Sequence, residues 1–148
     1  MKYTCIMGVD PGISGAVAFY FPDENRVSAY DVPVVDNQIN GPALADLVRQ
    51  YAPEIAIVEA VHSMPKQGVA STFKFGVAYG IALGVIGACH IPMVLVTPTS
   101  WKKKLRLSAD KEESRAAAIR QFPSNPSFSR KKDHGRAEAA LIAVSFVS

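Results

Sequence analysis

Met7–Gly15, MGVDPGISG, is a short apolar run that climbs to one acidic residue and breaks at once on proline and glycine. Upstream, Tyr3, Cys5, Ile6, Met7 and Val9 are β-prone and lack the alternation of a half-wet strand, so they read as a central strand buried on both faces. A carboxylate at the end of such a strand needs a reason. Burying it unpaired costs on the order of several kcal/mol, so Asp10 calls for a partner, a metal or access to water. Pro11, Gly12 and Gly15 then let the backbone turn tightly toward a second strand, Ala16–Phe21. Taken alone, the stretch equally suits an Asp that merely starts a turn before proline.

Working outward, Ala16–Phe21, the turn residues Pro22-Asp23-Glu24-Asn25, and Arg26–Val32 form a hairpin that follows the first strand. Asn40-Gly41-Pro42 opens a helix with Leu44, Leu47, Val48 and Tyr51 on one face, and Pro53 closes it. Glu54–Val61, EIAIVEAV, repeats the first pattern: apolar Ile55–Val58 run into a second unexpected acid, Glu59. A polar connection, His62–Val69, leads to a long helix over Ala70–His90 with Gly76, Gly80, Gly84 and Ala88 spaced by four. Each Gly costs a helix about 1 kcal/mol relative to Ala. Close packing inside the monomer is the expected use of that stripe, ahead of a subunit interface.

Pro92–Val96 is a fifth strand, and Thr97–Ser100 starts a helix at Trp101-Lys102-Lys103-Lys104. Trp101 reads as a core anchor rather than a base-stacking platform. Asp110 and Glu113 resemble a capping arrangement for a helix through Phe122, ended by Pro123. Ser124–Lys132 reads as a mobile Ser/Asn/Pro loop with a basic end, and Asp133–Ser148 as an alanine-rich helix. The order predicts a single α/β domain, residues 1–148, with a mixed five-stranded sheet and helices on both faces.

Hydrophobic residues make up 49% of the chain and charged ones 20%, the composition of an ordinary soluble globule. Neither a signal segment nor a run of roughly 18 apolar residues is evident, so a cytoplasmic protein with no membrane partner is expected. Cys5 and Cys89 lack metal-ligand spacing and read as buried small hydrophobes. The net charge of +3 is unevenly spread: Trp101–Arg136 holds eleven bases against four acids, a balance of +7, and the remainder carries −4. Basic clusters flanking acidic motifs suit a polyanion.

Four acids occupy distinctive places: Asp10 and Glu59 at strand ends, Asp133 and Glu138 on the last helix. If the first and fourth long strands are neighbours, Asp10 and Glu59 repel unless a cation lies between them. Asp133 and Glu138 are about 140° apart around a helix, so both reach one site only if Asp133 is the N-cap. His134 shares a face with Glu138 and either pairs with it or serves the site. Oxygen ligands suit Mg²⁺ or Mn²⁺, and carboxylates around two metals roughly 4 Å apart suit phosphodiester hydrolysis.

On GVDPGISG, IVEAV, STFKFGVAYGIALG, TPTSWKK and DHGRAEAALIA, the chain resembles the RuvC-type Holliday-junction resolvases of the RNase H-like fold, over nearly its whole length. The C-terminal Asp133–Glu138 spacing is similar to the plant chloroplast branch, whereas bacterial members carry an Asp-x-x-Asp pair where this chain has Gly135. The resemblance implies a homodimeric endonuclease acting on branched, four-way junction DNA, with two Mg²⁺ or Mn²⁺ per site held by Asp10, Glu59, Asp133 and Glu138; His134 is a candidate catalytic residue on its position beside Glu138. The resemblance implies DNA contacts from His62, Met64, Lys66, Gln67 and Lys74 and from the basic clusters Lys102, Lys103, Lys104, Arg130, Lys131 and Lys132. A bacterial or phage-infected bacterial cell is the implied setting, with an organellar one left open. Two other readings compete: a junction-binding protein that does not cut, and an RNase H-like nuclease acting on RNA or RNA–DNA hybrid.

Overall fold

The structure is a computed structural model that describes residues 2–60 and 66–148. Three antiparallel strands come first: β1 (Ile6–Asp10), β2 (Ala16–Phe21) and β3 (Arg26–Asp31). Val34–Val35 (β4) and Gln38–Ile39 (β5) make a small hairpin that the sequence did not announce. Its turn residues, Asp36 and Asn37, have φ of 50° and 60°, the left-handed conformation that tight hairpins require. Strands this short leave no periodic signal.

Helix α1 (Gly41–Tyr51) is capped by Asn40, whose side chain accepts from the Ala43 amide at 3.1 Å, and it leads to β6 (Ile55–Glu59). Then come α2 (Val69–Ala88), β7 (Met93–Val96), α3 (Pro98–Lys104), α4 (Lys111–Gln121) and α5 (His134–Phe146). The main sheet has the order β3-β2-β1-β6-β7, with β1, β6 and β7 parallel to one another. The expected mixed five-stranded sheet is therefore present, and its parallel centre is buried on both sides.

Alternation along β1 assigns the layers. Ile6 faces a core with Ile57, Trp101, Ala118 and the inner residues of α5. Met7 and Val9 face the other, with Leu44 and Val48 of α1 and Ala78, Ala82 and Ile86 of α2. Between them, Gly8 lets α5 rest directly on the strand: a Cβ there would lie 2.0 Å from the Ala139 carbonyl oxygen and 2.9 Å from the Ala143 amide nitrogen. Only a residue without a side chain permits that approach. Helix α5 is consequently buried nearly all round, from Ala137 to Ser145.

Three expectations change. Among the described residues nothing packs on the Gly76, Gly80 and Gly84 stripe: a Cβ added at any of them meets none of their atoms within 4 Å. Helix α2, with Lys74 as its single charge, is long and apolar enough to cross a membrane by length and composition, contrary to the expectation that no segment reaches that length. The segment expected to be a mobile loop folds instead into two 3₁₀ turns, Pro126–Phe128 and Lys131–Asp133. Phe128 is fully buried there, and Arg115 Nη1 donates to the Phe128 and Ser129 carbonyls, each at 3.0 Å.

Candidate active site

Parallel pairing of β1 with β6 sets Val9 opposite Val58, so the next residue of each strand, Asp10 and Glu59, emerges side by side at the carboxyl end of the sheet. The turn after β1 closes tightly: the Gly15 amide donates to the Gly12 carbonyl at 3.1 Å, and a Cβ on Gly15 would lie 1.9 Å from the Asp10 carbonyl oxygen. Helix α5 crosses the same strand end. A Cβ on Gly135 would sit 3.8 Å from Asp10 Oδ2, and one turn further on Glu138 joins the group.

Three carboxylates thus gather from β1, β6 and α5, and their electrostatics show the strain of the gathering. Burial, followed by the charges of Glu59 and Glu138, pushes Asp10 up to about 7, against the opposing pull of Lys111 and Lys102. Burial also raises Glu59, opposed by a hydrogen bond from Trp101, whose indole Nε1 donates to Oε2 at 2.7 Å. Glu138, with a side chain 7% exposed, is flanked by Lys102 Nζ at 3.3 Å from Oε2 and Lys111 Nζ at 3.8 Å from Oε1. Lys102 balances charge without completing a hydrogen bond, because Glu138 Oε2 is buried and has no hydrogen-bond partner among the described residues.

His134 opens α5 beside this group, and its Nδ1 is likewise buried without a hydrogen-bond partner among the described residues. With Asp10 it lines an open cleft of about 460 Å³, whose far wall includes Gln67, Lys74 and Phe75. A larger groove, about 530 Å³, lies between β3 and residues 121–127, and no carboxylate lines it.

Asp133 stands at the N-cap of α5, as the spacing required, but it does not turn inward to the other acids. Its Oδ2 accepts from the Arg130 amide at 2.9 Å, its Oδ1 from Arg130 Nη2 at 2.9 Å, and Arg136 Nη1 lies 3.8 Å from Oδ1. Burial opposes ionisation, but these arginine contacts outweigh it and hold Asp133 below the usual carboxylate range. The structure therefore separates the two acids of the last helix: Glu138 belongs to the carboxylate group and Asp133 to an arginine clamp.

Of the expected DNA-contacting residues, Gln67 and Lys74 stand on the cleft wall, and Lys66, Lys103, Lys104, Arg130, Lys131 and Lys132 are exposed. Lys102 is a correction: only 16% exposed at its side chain, it faces Glu138 rather than open solvent. His62 and Met64 lie outside the described residues. Sequence reasoning missed Lys111, at the start of α4. Asp110 caps that helix by accepting from the Glu112 amide at 2.9 Å, whereas Glu113 reaches back to the Ser108 amide and hydroxyl rather than to Asp110. The cap aims Lys111 toward Glu138, a direction no local pattern reveals.

Oxygen donors in this number suit a hard divalent cation. Among the described residues no group of three or more His, Cys, Asp or Glu is placed to hold a metal as it stands, and two lysines face Glu138. The chemistry nevertheless fits. Two buried polar atoms, Glu138 Oε2 and His134 Nδ1, lack hydrogen-bond partners among the described residues, and a buried Asp10 is pressed by like charges. A dication would relieve both once Lys102 moved off Glu138.

No family model matches the chain. A stretch of 62 residues, 42% of the chain, is 39% identical to the crossover junction endodeoxyribonuclease RuvC of two strains of Nitratidesulfovibrio vulgaris; the match spans about a third of those relatives, 36% of their length. Among solved structures, Thermus thermophilus RuvC bound to a Holliday junction substrate superposes with a TM-score of 0.67 at 14% identity, covering 97% of this chain and 94% of that one. The same protein in another structure gives 0.66 at 15% identity, over 97% of this chain and 95% of that one. The yeast mitochondrial Holliday junction resolvase gives 0.51 at 16% identity, over 95% and 78% of the two chains. The chain has the α/β RNase H-like fold of these resolvases and shares sequence with the RuvC type.

Proposed function

We propose that this chain is a divalent-metal-dependent endonuclease that resolves four-way DNA junctions. The observation that carries the reading is the meeting of Asp10, Glu59 and Glu138 from three elements at one sheet end, with Asp10 raised to about 7 by burial and by the other two. A protein that only bound DNA would gain nothing by gathering negative charge beside phosphates. Sequence identity to the RuvC relatives and likeness of fold to a resolvase on its junction substrate support the choice of branched DNA.

In this reading Asp10, Glu59 and Glu138 hold Mg²⁺ or Mn²⁺, two per site, with His134 Nδ1 adjacent. Bound there, the metal supplies an activated water and charge stabilisation for phosphodiester hydrolysis. The chain's own residues do the rest. Lys102 and Lys111 balance the charge of Glu138 and would leave it free for a cation by moving aside. Gln67 and Lys74 receive the backbone at the cleft wall, and Lys103, Lys104, Lys131 and Lys132 extend the basic track. Asp133 would join the ligands only by leaving Arg130.

A homodimer is part of the proposal. Helix α2 exposes Val69 (88%), Phe73 (74%) and the glycine stripe, and on the same side of the sheet β7 exposes Met93 and Leu95. A second copy covering that face would pair two sites for opposed cuts. Incubating the protein with labelled four-way junction, duplex and RNA–DNA hybrid in Mg²⁺ and in Mn²⁺ tests the whole reading. Paired cuts confined to the junction are expected. Binding without cutting favours the non-cleaving protein, and cutting of the hybrid alone favours a ribonuclease.

A further inference from the structure

Trp101 is the chain's only tryptophan, and it is 1% exposed, although α3 is a short surface helix and the three residues after Trp101 are lysines. Packing alone would account for the ring but not for the direction of its N–H. Nε1 donates to Glu59 Oε2 at 2.7 Å, the only hydrogen bond to that carboxylate among the described residues. The same indole presents its ring to Lys102, with Nζ 5.4 Å from the ring centroid, and that ammonium is the one 3.3 Å from Glu138 Oε2. One buried side chain therefore touches both Glu59 and the cation that faces Glu138.

We infer that Trp101 is a positioning residue for the metal site: its N–H fixes the Glu59 carboxylate by one oxygen and leaves Oε1 for the cation, while its ring face holds Lys102 when that ammonium gives up Glu138. The inference rests on the nuclease reading above. Its backbone support is in place, because Thr97 caps α3 by accepting from the Ser100 amide at 3.2 Å, and Glu59 pairs with Val96 at the end of β7. The sheet and the helix start thus set the indole and the carboxylate in one register. A carboxylate held by a partner outside the coordination sphere loses less freedom on binding a metal, and removing such partners typically lowers metal affinity about 10- to 100-fold. The cation–π contact gives Lys102 a defined place near the site without occupying a carboxylate oxygen.

Because the tryptophan is single, two experiments address it without ambiguity. Growth of the protein with benzothienylalanine in place of tryptophan exchanges the N–H for sulfur at position 101 only and preserves ring shape. Isothermal calorimetry with Mn²⁺ should then show affinity at least about tenfold weaker than native, with an unchanged circular dichroism spectrum; Trp101→Phe should weaken it at least as much. In the native protein, indole emission should shift saturably with Mg²⁺, and Glu59→Gln should abolish that response. An analogue-substituted protein that binds Mn²⁺ as tightly as native overturns the inference. So does a native emission unmoved by Mg²⁺ in protein that cuts junctions, and in both cases the nuclease reading stands. A native protein that neither binds Mn²⁺ in the calorimeter nor cuts would overturn both.

Discussion

Asp10 is buried among like charges, and the tension this creates has a sign. Its acidity in the folded chain is displaced to about 7, whereas an unfolded Asp titrates near 3.8, so between those values the folded state binds the extra proton. Metal-free stability from this group is therefore fullest below about pH 4 and falls as pH rises toward 7. Glu59, raised by the same burial, adds in the same direction. Thermal midpoints measured in EDTA from pH 4 to 7.5 should decline, and Asp10→Asn should flatten the decline; parallel slopes for the two proteins would remove Asp10 as its source. Asp133 offers the opposite test. Asp133→Asn should cost about 1.5 kcal/mol in denaturant melts, since it takes the charged acceptor from half-exposed Arg130 while Arg136 keeps its pair with Asp31, and cleavage should persist. Full stability with lost cleavage would return Asp133 to the metal.

Among the elements, α5 on β1 and the outer face of α2 have the clearest consequences. Gly8→Ala should destabilise by about 3 kcal/mol or more, because the new methyl meets backbone of α5, which cannot yield as a side chain would. A melt within about 0.5 kcal/mol of native would mean that α5 does not rest on the strand as described. Gly80→Arg with Gly84→Arg should fold normally, having open space before them, yet convert a dimer to a monomer in light scattering. A double variant that stays dimeric would move the interface elsewhere. These elements also mark how far the sequence could be read. The buried strands, their terminal acids and the alanine-rich last helix were legible because each is a local pattern: an apolar run broken by a charge, or small residues at helical spacing. The glycine stripe was legible as a stripe but not as an outward one, since spacing fixes a face and not what that face meets. The β4–β5 hairpin was too short for periodicity.

Across the whole molecule, the site is assembled from contacts that no local window contains. Trp101 reaches Glu59 across 42 positions, and Lys111 reaches Glu138 from the next helix but not the next turn. Spacing named Asp10, Glu59 and Glu138 because each stands out against its own segment; it also offered Asp133, and only the arginine clamp separates that acid from the rest. The basic track is a property of the assembled surface as well. Lys131→Ala with Lys132→Ala should flatten the dependence of log K on log salt by about 0.9 for each phosphate no longer neutralised, without moving the cut positions. An unchanged slope would make those lysines ordinary surface. The central claim is that Asp10, Glu59 and Glu138 form a metal-dependent site for cutting branched DNA. It is tested most directly by following a labelled four-way junction with native protein and with Asp10→Asn in Mg²⁺ and Mn²⁺. Symmetric paired cuts by the native chain, abolished in Asp10→Asn while junction binding is kept or tightened, are the expected result; normal cutting by Asp10→Asn, or binding without any cutting by the native chain in either metal, would contradict it.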